Sequence, residues 1–234
     1  MNYSKAIIIT GVNRGLGEAL VHLFTEKKEF LIIAISRRIN SEQKKMEEIG
    51  KLVFIEKDLF YLKDVEKDIF LGRYLEGIDE ICFINNASII NPIEKIGKFN
   101  SEDIYKLIQI NTIVPLLISN YLLSNSENKR INFINISSGA ATHPIEGWGL
   151  YCTSKSANDM FFEVLSKQES KNDNINVISI DPGVIDSGMQ QLIRDTNPEV
   201  FPEIETFIKL KEQGKLLEPI EAAKRVLSKS NFFN

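Results

Sequence analysis

The chain has 234 residues, 43% hydrophobic and 26% charged, with 28 lysines and arginines against 32 aspartates and glutamates and a net charge of -4. It is long enough to bury a full core as one globular domain, and its slight acidity without a long basic run excludes a nucleic-acid surface. The cysteines (Cys82, Cys152) and histidines (His22, His143) lack ligand spacing, which excludes a zinc site or histidine triad, so no metal is expected. The N-terminal apolar run stops at Gly11, too short for a signal sequence, and no run approaches the roughly 20 residues of a membrane span. The expectation is a cytoplasmic protein with no membrane partner.

In chain order, "KAIIIT" (5–10) reads as a first strand, apolar throughout and so buried on both faces. Directly after it comes Thr10-Gly11-Val12-Asn13-Arg14-Gly15-Leu16-Gly17, at the mouth of a helix over about 15–28. That context is the one a dinucleotide-binding loop requires. Gly11 permits the turn, Gly15 admits a pyrophosphate to the backbone, and Gly17 lets helix and strand approach. The helix N-terminus offers N–H groups to phosphate. Asn13, Arg14 and Leu16 complete the expected cradle. A plain glycine-rich turn would read the same way on spacing alone, and the absence of Gly-Lys-Ser/Thr excludes a nucleotide-triphosphatase loop.

The second strand, "FLIIAIS" (30–36), ends in Ser36-Arg37-Arg38, where a carboxylate would select the ribose hydroxyl of NAD. Paired guanidinium groups, with Arg14 nearby in the loop, suit a 2′-phosphate and predict NADP(H). Solvated loop arginines are the alternative. A helix over 41–49, a strand "LVFI" (52–55), a helix over 62–76, a strand "EICFIN" (80–85) and a long helix over 101–125 follow. Next come "INFINIS" (131–137), a helix over 151–171 and "INVISI" (175–180). After Pro182 a loop, a helical stretch (199–213) and a last helix from Glu218-Pro219 finish the pattern. Repeated alternation of this kind predicts a Rossmann-like, doubly wound α/β domain spanning 1–234. Its parallel sheet would have six to seven strands, with helices on both faces and residues 182–216 as a substrate loop or lid.

At the head of the 151–171 helix stands "GWGLYCTSK". Tyr151 and Lys155 share a helix face, a spacing found at no other tyrosine in the chain, though an i, i+4 pair alone carries no function. Cys152 reads as a packing thiol, since no base is available to it.

Taken in order, Thr10-Gly11…Gly15…Gly17, Asp58-Leu59, Asn85-Asn86-Ala87-Ser88, Asn111, Ser137-Ser138, Tyr151/Lys155 and Pro182-Gly183 resemble the short-chain dehydrogenases/reductases from residue 5 to about 190. The resemblance implies that Asp58, Leu59, Asn86, Ala87, Pro182, Gly183, Val184 and Ile185 contact the cofactor, as do Tyr151 and Lys155. Ser88 departs from the family's glycine. Tyr151 would be the proton donor to a carbonyl receiving hydride, and Lys155 the cation lowering its pKa. Ser138 would stabilise charge on the substrate oxygen. Asn111 would hold a water relaying protons to Lys155. Ser137 reads as a strand-end hydroxyl.

Within the family, "GWGLYC", "DSGMQQLIRDT" (186–196) and "KLKEQGKLLEP" (209–219) are similar to the sepiapterin reductases and the bacterial reductases of benzil and other vicinal diketones. That likeness implies a substrate pocket of Ser138, Tyr151, Trp148, Met189 and Gln190, though Trp148 could equally be a packing aromatic. The chain ends at "NFFN", with no counterpart of the tail aspartate that anchors a pterin, nor of the last strand used in tetramers. The expected function is therefore NADPH-dependent reduction of a ketone or diketone. Sepiapterin reduction, or a non-catalytic NADP(H) sensor on the same fold, is the alternative. A homodimer through the helices at 101–125 and 151–171 is the expected partner.

Overall fold

A computed structural model describes residues 3–230, so the terminal "NFFN" (231–234), on which the reading of the chain end falls, lies outside the described residues. Six strands form one parallel sheet: β1 (Lys5–Thr10), β2 (Phe30–Ser36), β3 (Leu52–Glu56), β4 (Glu80–Asn85), β5 (Arg130–Ile136) and β6 (Ile175–Ile180), in the order β3-β2-β1-β4-β5-β6. The nearly unbroken apolar runs have the predicted consequence. Alternate residues point to opposite faces, and both faces are covered along β1, β2, β4 and β5. The edge strands β3 and β6 stay partly exposed, because each has a neighbour on one side alone. Ile8, Ile33, Phe83 and Phe133 pack on one side, while Ile7, Ile9, Ile32 and Ile84 pack on the other.

One layer is made by α1 (Gly15–Thr25) and α9 (Pro219–Ser230), which pack on each other, together with α2 (Ser41–Glu48). The other holds α3 (Val65–Ile69), α4 (Ser101–Ile108), α5 (Val114–Asn125) and α6 (Gly149–Gln168). The chain winds outward from β1 to β3, then returns to β4 beside β1. That reversal opens a crevice at the carboxyl ends of the strands, where ligands bind in open α/β sheets.

Three predicted elements differ. The stretch 62–76 is not one helix. The Asp64 side chain accepts from the Lys67 N–H and opens α3, Phe70 adopts φ 47°, and Leu71–Tyr74 continues as a 3-10 turn. The stretch 101–125 is continuous but passes through a π-helical segment, Gln109–Ile113, between α4 and α5. Pro115 has no N–H to donate to the carbonyl of Asn111, four residues earlier, so the α ladder is interrupted there. The same stretch reaches a mean hydropathy of 1.4, but 44% of its most apolar window is buried, with Ile110, Val114, Ile118 and Leu122 against the sheet. Finally, the loop after Pro182 contains a helix, α7 (Gly188–Arg194), capped by Ser187, before α8 (Ile204–Glu212).

Candidate active site

The glycine loop is tied to the tip of β4. Gly11 has φ +72°, and a Cβ there would come within 2.9 Å of Ala87 Cα. A Cβ on Gly17 would stand 2.2 Å from the Gly11 carbonyl oxygen and 2.6 Å from Asn86 Nδ2. Only hydrogen fits at either position. Asn86 Nδ2 donates to the carbonyls of Thr10 and Gly11 at 2.9 and 3.0 Å. Thr10 Oγ1 accepts from the Asn86 and Ala87 N–H groups in return. At the start of α1, Arg14 occupies the capping position without a side-chain cap, unlike Asn40 at α2 or Asn100 at α4. The N–H groups of α1 therefore remain open to an anion, and the loop fits a pyrophosphate.

Beyond the ends of β2 and β3 lies a cavity lined by Arg37, Glu56, Lys57, Asp58 and Tyr61. Arg37 and Arg38 are both exposed. Asp58 is committed locally: its carboxylate accepts from the Phe60 N–H and caps a short turn, and Leu59 is buried in the core. Arg14 does not line that cavity; its guanidinium lies near Gly188 at the start of α7, 2.9 Å from where a Cβ would stand.

The principal cavity, about 450 Å³, lies over the ends of β4, β5 and β6. It brings together Ser138, Tyr151 and Lys155 with Leu16, Asn86, Pro182, Gly183, Val184 and Ile185. Trp148, Met189 and Gln190 also line it. Trp148 is buried, stacked on Phe201 at 5.2 Å between ring centres, tilted against Phe207 at 5.4 Å and edge-on to Tyr151 at 5.6 Å. It is thus both a packing aromatic and a cavity wall. Phe201, in the loop before α8, and Phe207 on α8 were silent in the sequence, because an isolated phenylalanine carries no sign of what it will touch.

Tyr151 and Lys155 face inward from the first turns of α6. Lys155 Nζ donates to the carbonyl of Ile136 at 2.8 Å and lies 5.7 Å from the Tyr151 ring centre. Burial lowers its pKa to about 8, opposed by Asp159 and Asp181. Burial raises the Tyr151 phenol to about 12, against the pull of the Ser138 and Ser88 hydroxyls, and Asp181 and Cys152 push it further up. The expected depression of the phenol pKa by Lys155 is therefore not a property of this site by itself. Removal of the ring oxygen from water outweighs the neighbouring dipoles and keeps it protonated. The Ser138 oxygen accepts from the Ala140 N–H at 3.2 Å, which leaves its own O–H to donate into the cavity.

Asn111 does not line the cavity. Its amide grips Ile89 twice, accepting from the N–H at 2.9 Å and donating to the carbonyl at 2.7 Å, and reaches Ser154 Oγ at 3.1 Å. Its backbone carbonyl, freed by Pro115, accepts from Asn158 Nδ2 at 2.6 Å. Ser137 is more than a strand-end hydroxyl, since it donates to Asp159 at 2.5 Å. Asn135 Nδ2 donates to the same carboxylate at 2.9 Å, pinning α6 to β5 beside Lys155.

The sequence profile described as "short chain dehydrogenase" matches residues 5–198. The chain is 35% identical to a benzil reductase ((S)-benzoin forming) of Bacillus cereus, over 95% of this chain and 92% of that one. It is 29% identical to the sepiapterin reductase of Mus musculus, over 94% and 89%. Among solved structures, the KRED1-Pglu enzyme superposes with a TM-score of 0.83 at 25% identity, covering 97% of this chain and 95% of that one.

Proposed function

Because the chain belongs to the short-chain dehydrogenase family, nicotinamide-dependent oxidoreductases acting on carbonyls and alcohols, we propose that it is an NADPH-dependent carbonyl reductase whose substrates include vicinal diketones. The observation that carries this reading is the convergence of Ser138, Tyr151 and Lys155 on one largely apolar cavity walled by Trp148, Ile90, Ile145 and Phe207. Such a cavity accepts a hydrophobic ketone and excludes water from it. Likeness to the benzil reductases supports the diketone over the pterin.

The glycine loop, the α1 N-terminus and Asn86 would hold the dinucleotide, with Arg37 and Arg38 at the adenosine 2′-phosphate. When bound, the reduced nicotinamide supplies hydride to the carbonyl carbon. Ser138 donates a hydrogen bond to the carbonyl oxygen, and Tyr151, held neutral by burial, gives that oxygen its proton. The phenolate left behind lies beside the Lys155 ammonium, which favours it and can return a proton. Asn111 stands behind this pair. The second lone pair of its carbonyl is where a relay water would attach. Residues 182–216 would act as the lid over substrate.

The same reading gives a single-domain cytoplasmic enzyme, consistent with two free cysteines. It would form a homodimer through α4–α5 and α6, which expose Ile104, Tyr105, Ile113, Met160 and Val164. The test is to mix protein, NADPH and benzil and follow cofactor absorbance, with chiral analysis of the product. Cofactor binding without turnover over a panel of diketones and aldehydes would favour a sensor.

A further inference from the structure

We infer that Ser88 is a third hydroxyl of the reacting centre, donating its O–H to the Tyr151 oxygen when that oxygen becomes negative. The inference rests on the reading of Tyr151 as proton donor.

Ser88 stands where the family resemblance predicts glycine, and its side chain points into the principal cavity alongside Ser138, Tyr151 and Lys155. Its Oγ is buried and makes no hydrogen bond of ordinary geometry among the described residues. A buried hydroxyl without a partner is costly, and such groups ordinarily have a function or a ligand. The backbone around it is immobilised from both sides. Thr10 Oγ1 accepts from the Asn86 and Ala87 N–H groups, and Asn111 holds both the N–H and the carbonyl of Ile89. Ser88 is thus carried on a fixed tip, and what it faces is set by the fold rather than by a mobile loop.

The Tyr151 phenol lines the same cavity. The Ser88 hydroxyl acts to lower the Tyr151 pKa, in the same sense as Ser138. The two serines come from different strand ends, β4 and β5, so they approach the phenol by separate routes. Ser138 is also the group needed by the substrate oxygen, so it cannot serve the phenolate fully while holding substrate. Ser88 has no such competing acceptor. When the proton leaves the Tyr151 oxygen for the substrate oxygen, the Ser88 O–H supplies a charge-assisted hydrogen bond to the phenolate. The other charged or titratable groups facing the phenol are Lys155 and Cys152 on α6, Asp181 after β6 and His143 after β5, and all remain in the test.

The test uses Ser88→Ala, Ser88→Gly and Ser88→Thr in the alcohol-oxidation direction, with NADP and benzoin. The readouts are the pH dependence of kcat and the phenolate difference absorbance of each NADP complex against Tyr151→Phe. Loss of one hydrogen bond to a charged oxygen is expected to move both upward by about one pH unit and to reduce kcat about tenfold below that pH. Ser88→Thr, which keeps the hydroxyl, should stay near the parent. Ser88→Gly guards against a failure of Ser88→Ala to fold, because glycine is the residue the motif otherwise carries. An unmoved ionisation in both the alanine and glycine variants overturns the role of Ser88. If Tyr151→Phe remains active, the premise about Tyr151 fails instead. The absorbance readout tests Ser88 even if benzoin is not turned over.

Discussion

The ammonium of Lys155 is held 2.8 Å from the carbonyl oxygen of Ile136, the last residue of β5, in a position almost closed to solvent. Burial pulls its pKa from 10.5 to about 8. The unfolded chain therefore binds more protons than the native protein between those values, and stability rises with pH across that window. Below about pH 8 the cost of the buried charge is fully present. Lys155→Met is expected to stabilise the fold at pH 7 by up to about 3 kcal/mol, less the lost hydrogen bond. The gain should vanish by about pH 10.5. Urea denaturation at both pH values checks this, and a destabilised variant at pH 7 would refute it.

Tyr151→Phe removes the proposed proton donor and keeps the ring that packs edge-to-face with Trp148. Reduction should fall by about two to four orders of magnitude, with NADPH affinity nearly unchanged by fluorescence titration. Activity within tenfold of the parent would sink the assignment.

Arg37 lines the cavity past β2, and Arg38 is exposed beside it. Replacing both by alanine should raise KM for NADPH by roughly ten- to a hundredfold while leaving KM for NADH within about twofold. Equal changes in the two constants would show that the arginines do not read the phosphate.

Asn111→Ala leaves the part-buried N–H and carbonyl of Ile89 without their partner. The expected loss is about 3 kcal/mol of stability, together with impaired catalysis, because the tip carrying Ser88 loosens. A variant that lost activity with unchanged denaturation midpoint would point to a direct proton role alone.

The sheet was legible because strands buried on both faces must be apolar at successive positions, and Ile7, Ile8 and Ile9 show this without ambiguity. The cofactor loop, Ser138, Tyr151 and Lys155 were legible through spacing and resemblance. Other features depended on three-dimensional neighbours. The sign of the Tyr151 shift follows from burial, which no i, i+4 spacing reveals. The pairing of Ser137 with Asp159 joins a strand end to a helix turn 22 residues away. Pro115 is a signal readable in the sequence: a proline inside a helix frees the carbonyl four residues before it, and here that residue is Asn111. Short capped pieces such as α7 are hard to separate from loop, because about two turns with few apolar side chains carry too little periodicity.

Trp148, Tyr151, Ile193, Phe201 and Ile204 form a small apolar cluster of their own, separate from the two that cover the sheet. The wall of the cavity is therefore expected to come apart as a cooperative unit while the strands stay paired. Backbone amides of α7 and α8 should exchange with deuterium well before those of β1 and β4, and the gap should narrow when a ketone fills the cavity. Substitutions at Phe201 or Phe207 would then alter how often the mouth opens rather than how firmly the nucleotide half is folded. Substrate range could accordingly drift at little risk to the rest of the molecule.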